Sequence, residues 1–252
     1  MFDHVTIRVG DGAASERFYE TVLGSLGIAK TGSAGQFGDG CPEFAEWGDF
    51  SIAEGEPTTG LHVGFCAWSH EEVDKFWRTG VDAGYESDGE PGMRPEYGDT
   101  YYGGFLLDPD GNSIEACFHD GMGRGSNVDH LWIRVPDLDA AQQFYELIAP
   151  YSGFEFRRRL PDRAHFKGAG STFALVSDGR PLTRNLHIAF GSDASDSISN
   201  DTVDAFHASA TAAGYADNGG PGERPEYHPG YYAAFVLDPA GANVEVVSHN
   251  RT

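Results

Sequence analysis

The sequence predicts an α+β fold of four βαβββ-like modules, two in each half of the chain. Internal repetition is the first reason. "DHVTIRVGDGAASERFYE" (residues 3–20) returns as "DHLWIRVPDLDAAQQFYE" (129–146), and "GLHVGF" (60–65) returns as "NLHIAF" (185–190). "GEPGMRPEY" (89–97) then recurs as "GGPGERPEY" (219–227), and "YYGGFLLDPDGNSIEACFH" (101–119) as "YYAAFVLDPAGANVEVVSH" (231–249). Periodicity is the second reason: in each copy, strand-like alternation gives way to helical spacing of apolar residues and then returns, twice over.

The elements follow in order. "HVTIRV" alternates as a first strand. Asp11 or its counterpart Asp137 can cap the next helix, in which Phe18, Val22 and Leu23 share one face. A second round opens at "LHVGF", passes through a helix around "EEVDKFWRTGVDAG" ending at Gly84, and returns through "YYGGFLL", the turn "DPDGN" and the strand "SIEACF". The offset between copies rises from 125 to 130 between His187 and Val203, which places a five-residue insertion in the polar run "GSDASDSISND", read as a surface loop. "HDGMGRGSN" (119–127) is rich in glycine and reads as the joint. The expected domains are therefore 1–120 and 128–252, with a linker over 121–127, and 252 residues is a fitting length for two such units.

Composition narrows the function. With 40% hydrophobic residues but no apolar run approaching the roughly 20 needed to span a bilayer, the chain should be folded and soluble, with no membrane partner. "MFDHVTIRVG" reads straight into a strand without a basic or apolar leader, so a cytoplasmic location is expected. Cys41, Cys66 and Cys117 lack paired spacing, and the latter two sit in apolar runs as small hydrophobes. A formal charge of −22 disfavours nucleic acid and favours neutral or cationic small molecules. "RRRLPDR" (157–163) has no counterpart in the first copy and reads as an exposed edge or turn.

Three ionisable residues recur in apolar strands: His4, His62 and Glu115 in the first copy, and His130, His187 and Glu245 in the second. A bare acid in such a strand is costly, so the Glu needs a partner. Two imidazoles and one carboxylate suit a divalent cation held by three protein atoms, with positions left open for water or substrate. The bland alternative is six separately hydrogen-bonded core residues.

These stretches together resemble a two-domain member of the vicinal oxygen chelate superfamily, which includes glyoxalase I, extradiol dioxygenases, fosfomycin-inactivating thiol transferases and bleomycin-resistance proteins. The resemblance covers essentially the whole chain. It implies two cup-shaped, mixed and mostly antiparallel sheets, each enclosing a cation that chelates vicinal substrate oxygens. Its ligand positions fall on His4, His62, Glu115, His130, His187 and Glu245. Such cups form from adjacent or exchanged modules, so a trio of His4 with His187 and Glu245, and one of His130 with His62 and Glu115, is as open as the sequential grouping. Glyoxalase I has a fourth acidic ligand on the last strand of its first module. Here that strand reads "FSIAEGE" (50–56), and its partner "TFALVSD" (172–178), with no duplicated acid on one face.

Softer candidates are Tyr101 and Tyr231, each opening a tyrosine pair after "RPEY", which could hydrogen-bond a substrate oxygen or simply anchor a loop. His119 and His249 read as solvated strand ends, or else as residues that support a metal ligand from behind or act as acid-base groups. The expected function is a metal-dependent enzyme acting on a small oxygen-bearing substrate. Iron or manganese would suit dioxygenase chemistry; zinc, nickel or magnesium would suit lyase, isomerase or transferase chemistry. The alternative is a non-catalytic protein that sequesters a small, cationic ligand, as bleomycin-resistance proteins do. Two intact trios speak against one cup being only structural. Monomer and homodimer are both compatible with the duplication.

Overall fold

The computed structural model describes residues 2–33, 43–123, 125–191 and 198–250. Cys41 and residues 192–197 of the insertion lie outside them. The first module contains β1 (Phe2–Val9), α1 (Gly12–Ser25), β2 (Gly32–Ser33), β3 (Glu43–Trp47) and β4 (Phe50–Glu54). The second contains β5 (Leu61–Cys66), α2 (His70–Asp82), β6 (Ser87–Met93), β7 (Tyr102–Leu107) and β8 (Ser113–Phe118). The second copy repeats this order with β9 (Val128–Arg134), α3 (Leu138–Ser152), β10 (Glu155–Leu160), β11 (Arg163–Lys167) and β12 (Thr172–Val176). It ends with β13 (Leu186–Phe190), α4 (Asn200–Ala212), β14 (Ala216–Glu223), β15 (Tyr231–Leu237) and β16 (Asn243–His249).

Local chemistry accounts for the helix ends. The Asp11 carboxylate accepts from the Ala14 N–H, and Asp137 accepts from Asp139 and Ala140, so both caps fall where the sequence places them. Ser69 and Ser199 do the same for α2 and α4. Gly84 and Gly214 follow those helices with φ of 90° and 92°, a left-handed turn that favours glycine.

The strands form two eight-stranded mixed sheets among the described residues, ordered β14-β15-β16-β13-β1-β4-β3-β2 and β10-β11-β12-β9-β5-β8-β7-β6. Of the two arrangements compatible with the sequence, the chain takes the exchanged one. Module one shares a sheet with module four, and module two with module three. The joints are the antiparallel pairs β1–β13 and β5–β9, while β1–β4, β13–β16, β9–β12 and β5–β8 run parallel. Asp49 anchors the crossing: its carboxylate accepts from the Ser126 hydroxyl and the Asn127 and Val128 N–H groups, holding the start of β9 beside β4.

The apolar core lies between the helices and the outer faces of the sheets. Phe18, Tyr19, Trp47 and Phe50 fill the first half and Phe144, Tyr145, Phe166 and Phe173 the second, all at most 2% exposed. Truncating one of these rings should cost about 3–5 kcal/mol. With its apolar weight on the outside, each sheet leaves its inner, concave face for polar side chains.

A candidate metal centre in each cup

A register shift aims the first ligand of each cup. Along β1 the pairing moves from Phe2↔Phe190 to His4↔Ala189, so Asp3 is an extra residue. Along β9 it moves from Val128↔Phe65 to His130↔Gly64, and Asp129 is extra. Such a bulge re-aims the side chains beside it, and in both cups the Asp lies alongside its His. Asp3 Oδ1 is 2.8 Å from His4 Nδ1, and Asp129 Oδ2 is 2.8 Å from His130 Nδ1. With Nδ1–H given to the carboxylate, Nε2 offers its lone pair to the cup.

There it meets two partners. His62 Nε2 lies 3.0 Å from Glu115 Oε2 and 3.1 Å from His130 Nε2, and His130 Nε2 lies 3.3 Å from the same oxygen. In the other cup, His4 and His187 are 3.1 Å apart through Nε2, with Glu245 Oε2 at 3.1 Å from His187 and 3.6 Å from His4. A cation bonded to each donor at about 2.0–2.1 Å requires donors about 3.0–3.4 Å apart. Both trios are of that size, and among the described residues neither gains a fourth acid within the same reach. Ser51 pairs with Thr6, and Ala174 with Trp132, where a fourth ligand strand runs.

Every donor is held from behind. His62 Nδ1 is 3.0 Å from Ser113 Oγ, and His187 Nδ1 is 2.8 Å from the Asn243 amide. Tyr101 donates its hydroxyl to Glu115 Oε1 at 2.9 Å, and Tyr231 donates to Glu245 Oε1 at 2.6 Å. Both tyrosines are buried with their hydroxyls on that carboxylate. His119 and His249 are not solvated strand ends. Their Nε2 atoms reach Asp129 at 3.2 Å and Asp3 at 2.7 Å, extending each trio into a His–Asp–His chain. Partners of this kind fix ligand orientation in metal sites.

Electrostatics agree with a cation here. Burial works to raise Asp3 and Asp129, yet hydrogen bonds from two imidazoles each hold them well below the usual carboxylate range. Glu115 is likewise lowered: burial opposes, and His130 and His62 outweigh it. Burial also opposes charge on His130, but Asp129 and Glu115 hold its value up to about 10, whereas burial dominates at His62 and lowers it. The buried trio therefore favours one positive charge between its carboxylates. Burial pushes the Cys66 thiol up to about 12 and Cys117 upward too, so both stay neutral, buried fillers.

The trio of His62, Glu115 and His130 opens onto a cavity of about 900 Å³. Tyr97, Phe105 and Trp132 contribute its aromatic surface, with Tyr97 edge-on to Trp132 at 5.6 Å. The "RRRLPDR" run does lie on the edge hairpin β10–β11, and this hairpin is also a cavity wall, with Arg158 and Arg163 among its lining. The wall is far more basic than the chain as a whole, which the net charge does not reveal. All six ligand candidates thus fall into two trios. Asp3, Asp129 and Trp132 were not among the sequence candidates, although the twice-written "DH" was a visible signal for the two acids.

Comparisons with known proteins agree with this architecture. Residues 1–116 match the profile of the Glyoxalase/Bleomycin resistance protein/Dioxygenase superfamily. Glyoxalase I from Zea mays is similar in fold, with 20% identity, 98% of this chain and 92% of that chain covered, and a TM-score of 0.64. A Bacillus subtilis protein provisionally called a dioxygenase is similar over 99% of this chain and 85% of its own, at 13% identity and a TM-score of 0.61. No match is found among curated proteins. No described helix is long and apolar enough to cross a membrane. The first copy thus matches the model of the glyoxalase/bleomycin resistance protein/dioxygenase superfamily, and nearly the full length of the chain shares the fold of glyoxalase I.

Proposed function

We propose that the protein is a metal-dependent enzyme acting on a small oxygen-bearing substrate, with one divalent cation held by His62, Glu115 and His130 and another by His4, His187 and Glu245. The observation that carries this reading is the convergence, in both cups, of two imidazole nitrogens and one carboxylate oxygen at metal-ligand spacing. Such a cation supplies Lewis-acid polarisation of two neighbouring substrate oxygens and stabilises negative charge developing on them.

The residues of the chain do the rest. Asp129 and Asp3 keep the first imidazole of each trio oriented, with Nδ1–H on the carboxylate and Nε2 turned toward the other two donors. Tyr101 and Tyr231 hold the inner carboxylate by its second oxygen, so they position a ligand. Trp132, Tyr97 and Phe105 exclude water from one side of the cavity beside His62, Glu115 and His130. Three protein ligands without a fourth acid favour a dioxygenase or transferase style of site over that of glyoxalase I.

Metal analysis of protein purified without added metal, followed by zinc titration, tests the reading. About two divalent ions per chain are expected, falling to about one in His62→Ala and in His187→Ala. A folded protein that binds no divalent ion, while Glu115→Ala leaves ligand binding unchanged, would instead establish a sequestering module.

A further inference from the structure

The cavity beside His62, Glu115 and His130 is charged against the trend of the molecule. Six of the chain's 17 Lys and Arg residues line it, but only five of its 39 Asp and Glu residues, and two of those five are Glu115 and Asp129, already engaged at the trio. Three of these six cationic groups come from β10 and β11, a hairpin whose register brings Arg158 opposite His165 and lays Arg163 and Lys167 along the same wall. Arg163 lies over the Trp132 ring at 4.9 Å. Arg158 and Lys167 have no hydrogen bond or ion pair among the described residues.

Two buried polar atoms on the same wall are also unmet. Ser171, 4% exposed, has no partner for its hydroxyl, and His165 has none for Nε2, among the described residues. Both residues line the cavity. Buried polar atoms are rarely left so, and an anionic ligand oxygen would satisfy them. His165 is held below its ordinary value by burial and then by Arg158 and Arg163, which confirms the positive field at that spot.

We infer that this cup takes an anionic substrate: a planar, oxygen-bearing molecule whose chelating edge faces the trio and whose carboxylate or phosphate group is received by Arg158, Arg163, His165, Lys167 and Ser171. The inference rests on the metal-centre reading above and assigns its substrate class. The corresponding cup of the first module is not built this way. There, Glu46 pairs with Ser51 where His165 pairs with Ala174, so an acid occupies the place of an imidazole.

Calorimetric titration of the zinc-loaded protein with 3,4-dihydroxybenzoate and with its methyl ester isolates the charge, because ring and chelating edge are the same in both probes. The acid should bind at least about ten-fold more tightly than the ester, as a charge-assisted contact implies. The double variant Arg158→Ala/Lys167→Ala, which breaks no side-chain hydrogen bond or ion pair among the described residues, should abolish that preference and leave the ester's affinity in place. Equal binding of acid and ester, or equal weakening of both by the variant, would overturn the anion site while leaving the metal centre standing. Failure of both probes to bind would overturn chelation and this inference with it. Displacement of the acid by benzoate assigns the site to carboxylates and displacement by inorganic phosphate alone to phosphate esters; displacement by neither overturns it.

Discussion

The two cups carry the same donor set but hold it differently. Around His62, Glu115 and His130 the imidazole side chains are 10% and 9% exposed, whereas His187 and His4 are 19% and 18% exposed. The longest donor separation grows from 3.3 to 3.6 Å between them. A small residue under each trio explains the difference. Gly64 lies opposite His130, and a Cβ there would collide with the ring; Ala189, which has that Cβ, lies opposite His4. Gly103 likewise leaves room for Glu115, while Ala233 occupies the equivalent place on β15. Duplication copied the ligands, and one methyl group at two positions sets how deeply each trio sits.

The largest expected effect breaks this comparison directly. Gly64→Ala should displace the His130 imidazole and weaken zinc at the buried trio by at least about 100-fold, beyond the range for loss of an outer partner, while the other trio still binds. Competition titration against a chelating dye would read both sites; an unchanged profile would refute the role of the glycine. Ala189→Gly in the other cup should cause no loss.

Next in size is Asp129→Asn, expected to cost about 10–100-fold in metal affinity at the buried trio by releasing the His130 ring. In the metal-free protein the same variant alters the acid limb of stability. The Asp129 value is depressed in the fold, so its contribution is present above the ordinary 3.8 and lost as pH falls below that toward the folded value. His130 runs the other way: raised from 6.5 to about 10, it stabilises below 6.5 and ceases to do so as pH rises through 10. Denaturant unfolding across pH should show both limbs in the parent chain and a flattened acid limb in Asp129→Asn.

Tyr101→Phe and Tyr231→Phe should each cost about 1–3 kcal/mol of stability, the penalty for leaving a buried acceptor short of one donor. Since Glu115 and Glu245 are both 1% exposed, similar losses in the two cups are expected. The smallest effect is at the caps. Asp11→Ala and Asp137→Ala should each cost about 1 kcal/mol, and equal values would show that the copies differ at the cups and not in their scaffold.

Much of this was legible in the sequence because it was written twice. The helices, their Asp caps and the strands around His4, His62 and Glu115 follow from period and repetition. β6 and β14 were not, since "SDGEPGM" and "ADNGGPGE" have the Gly and Pro content of loops and bulge twice against their neighbours. Which modules share a sheet could not be read either, because both joints are antiparallel pairs between copies of the same strand type. Asp3 and Asp129 were hidden by simple alternation, which sends neighbours of an inward His outward; only the register shift brings them to the same ring. The basic wall was hidden by the net charge, which sums over a surface that the cavity does not share.

A crystal structure of the zinc-loaded protein, with anomalous scattering recorded at the zinc edge, addresses the central claim most directly. Two peaks are predicted, one bonded to Nε2 of His62, Nε2 of His130 and Oε2 of Glu115, the other to the matching atoms of His187, His4 and Glu245, with the first the more fully occupied. Anomalous density elsewhere in the molecule, or empty trios in a folded, zinc-saturated crystal, would contradict it.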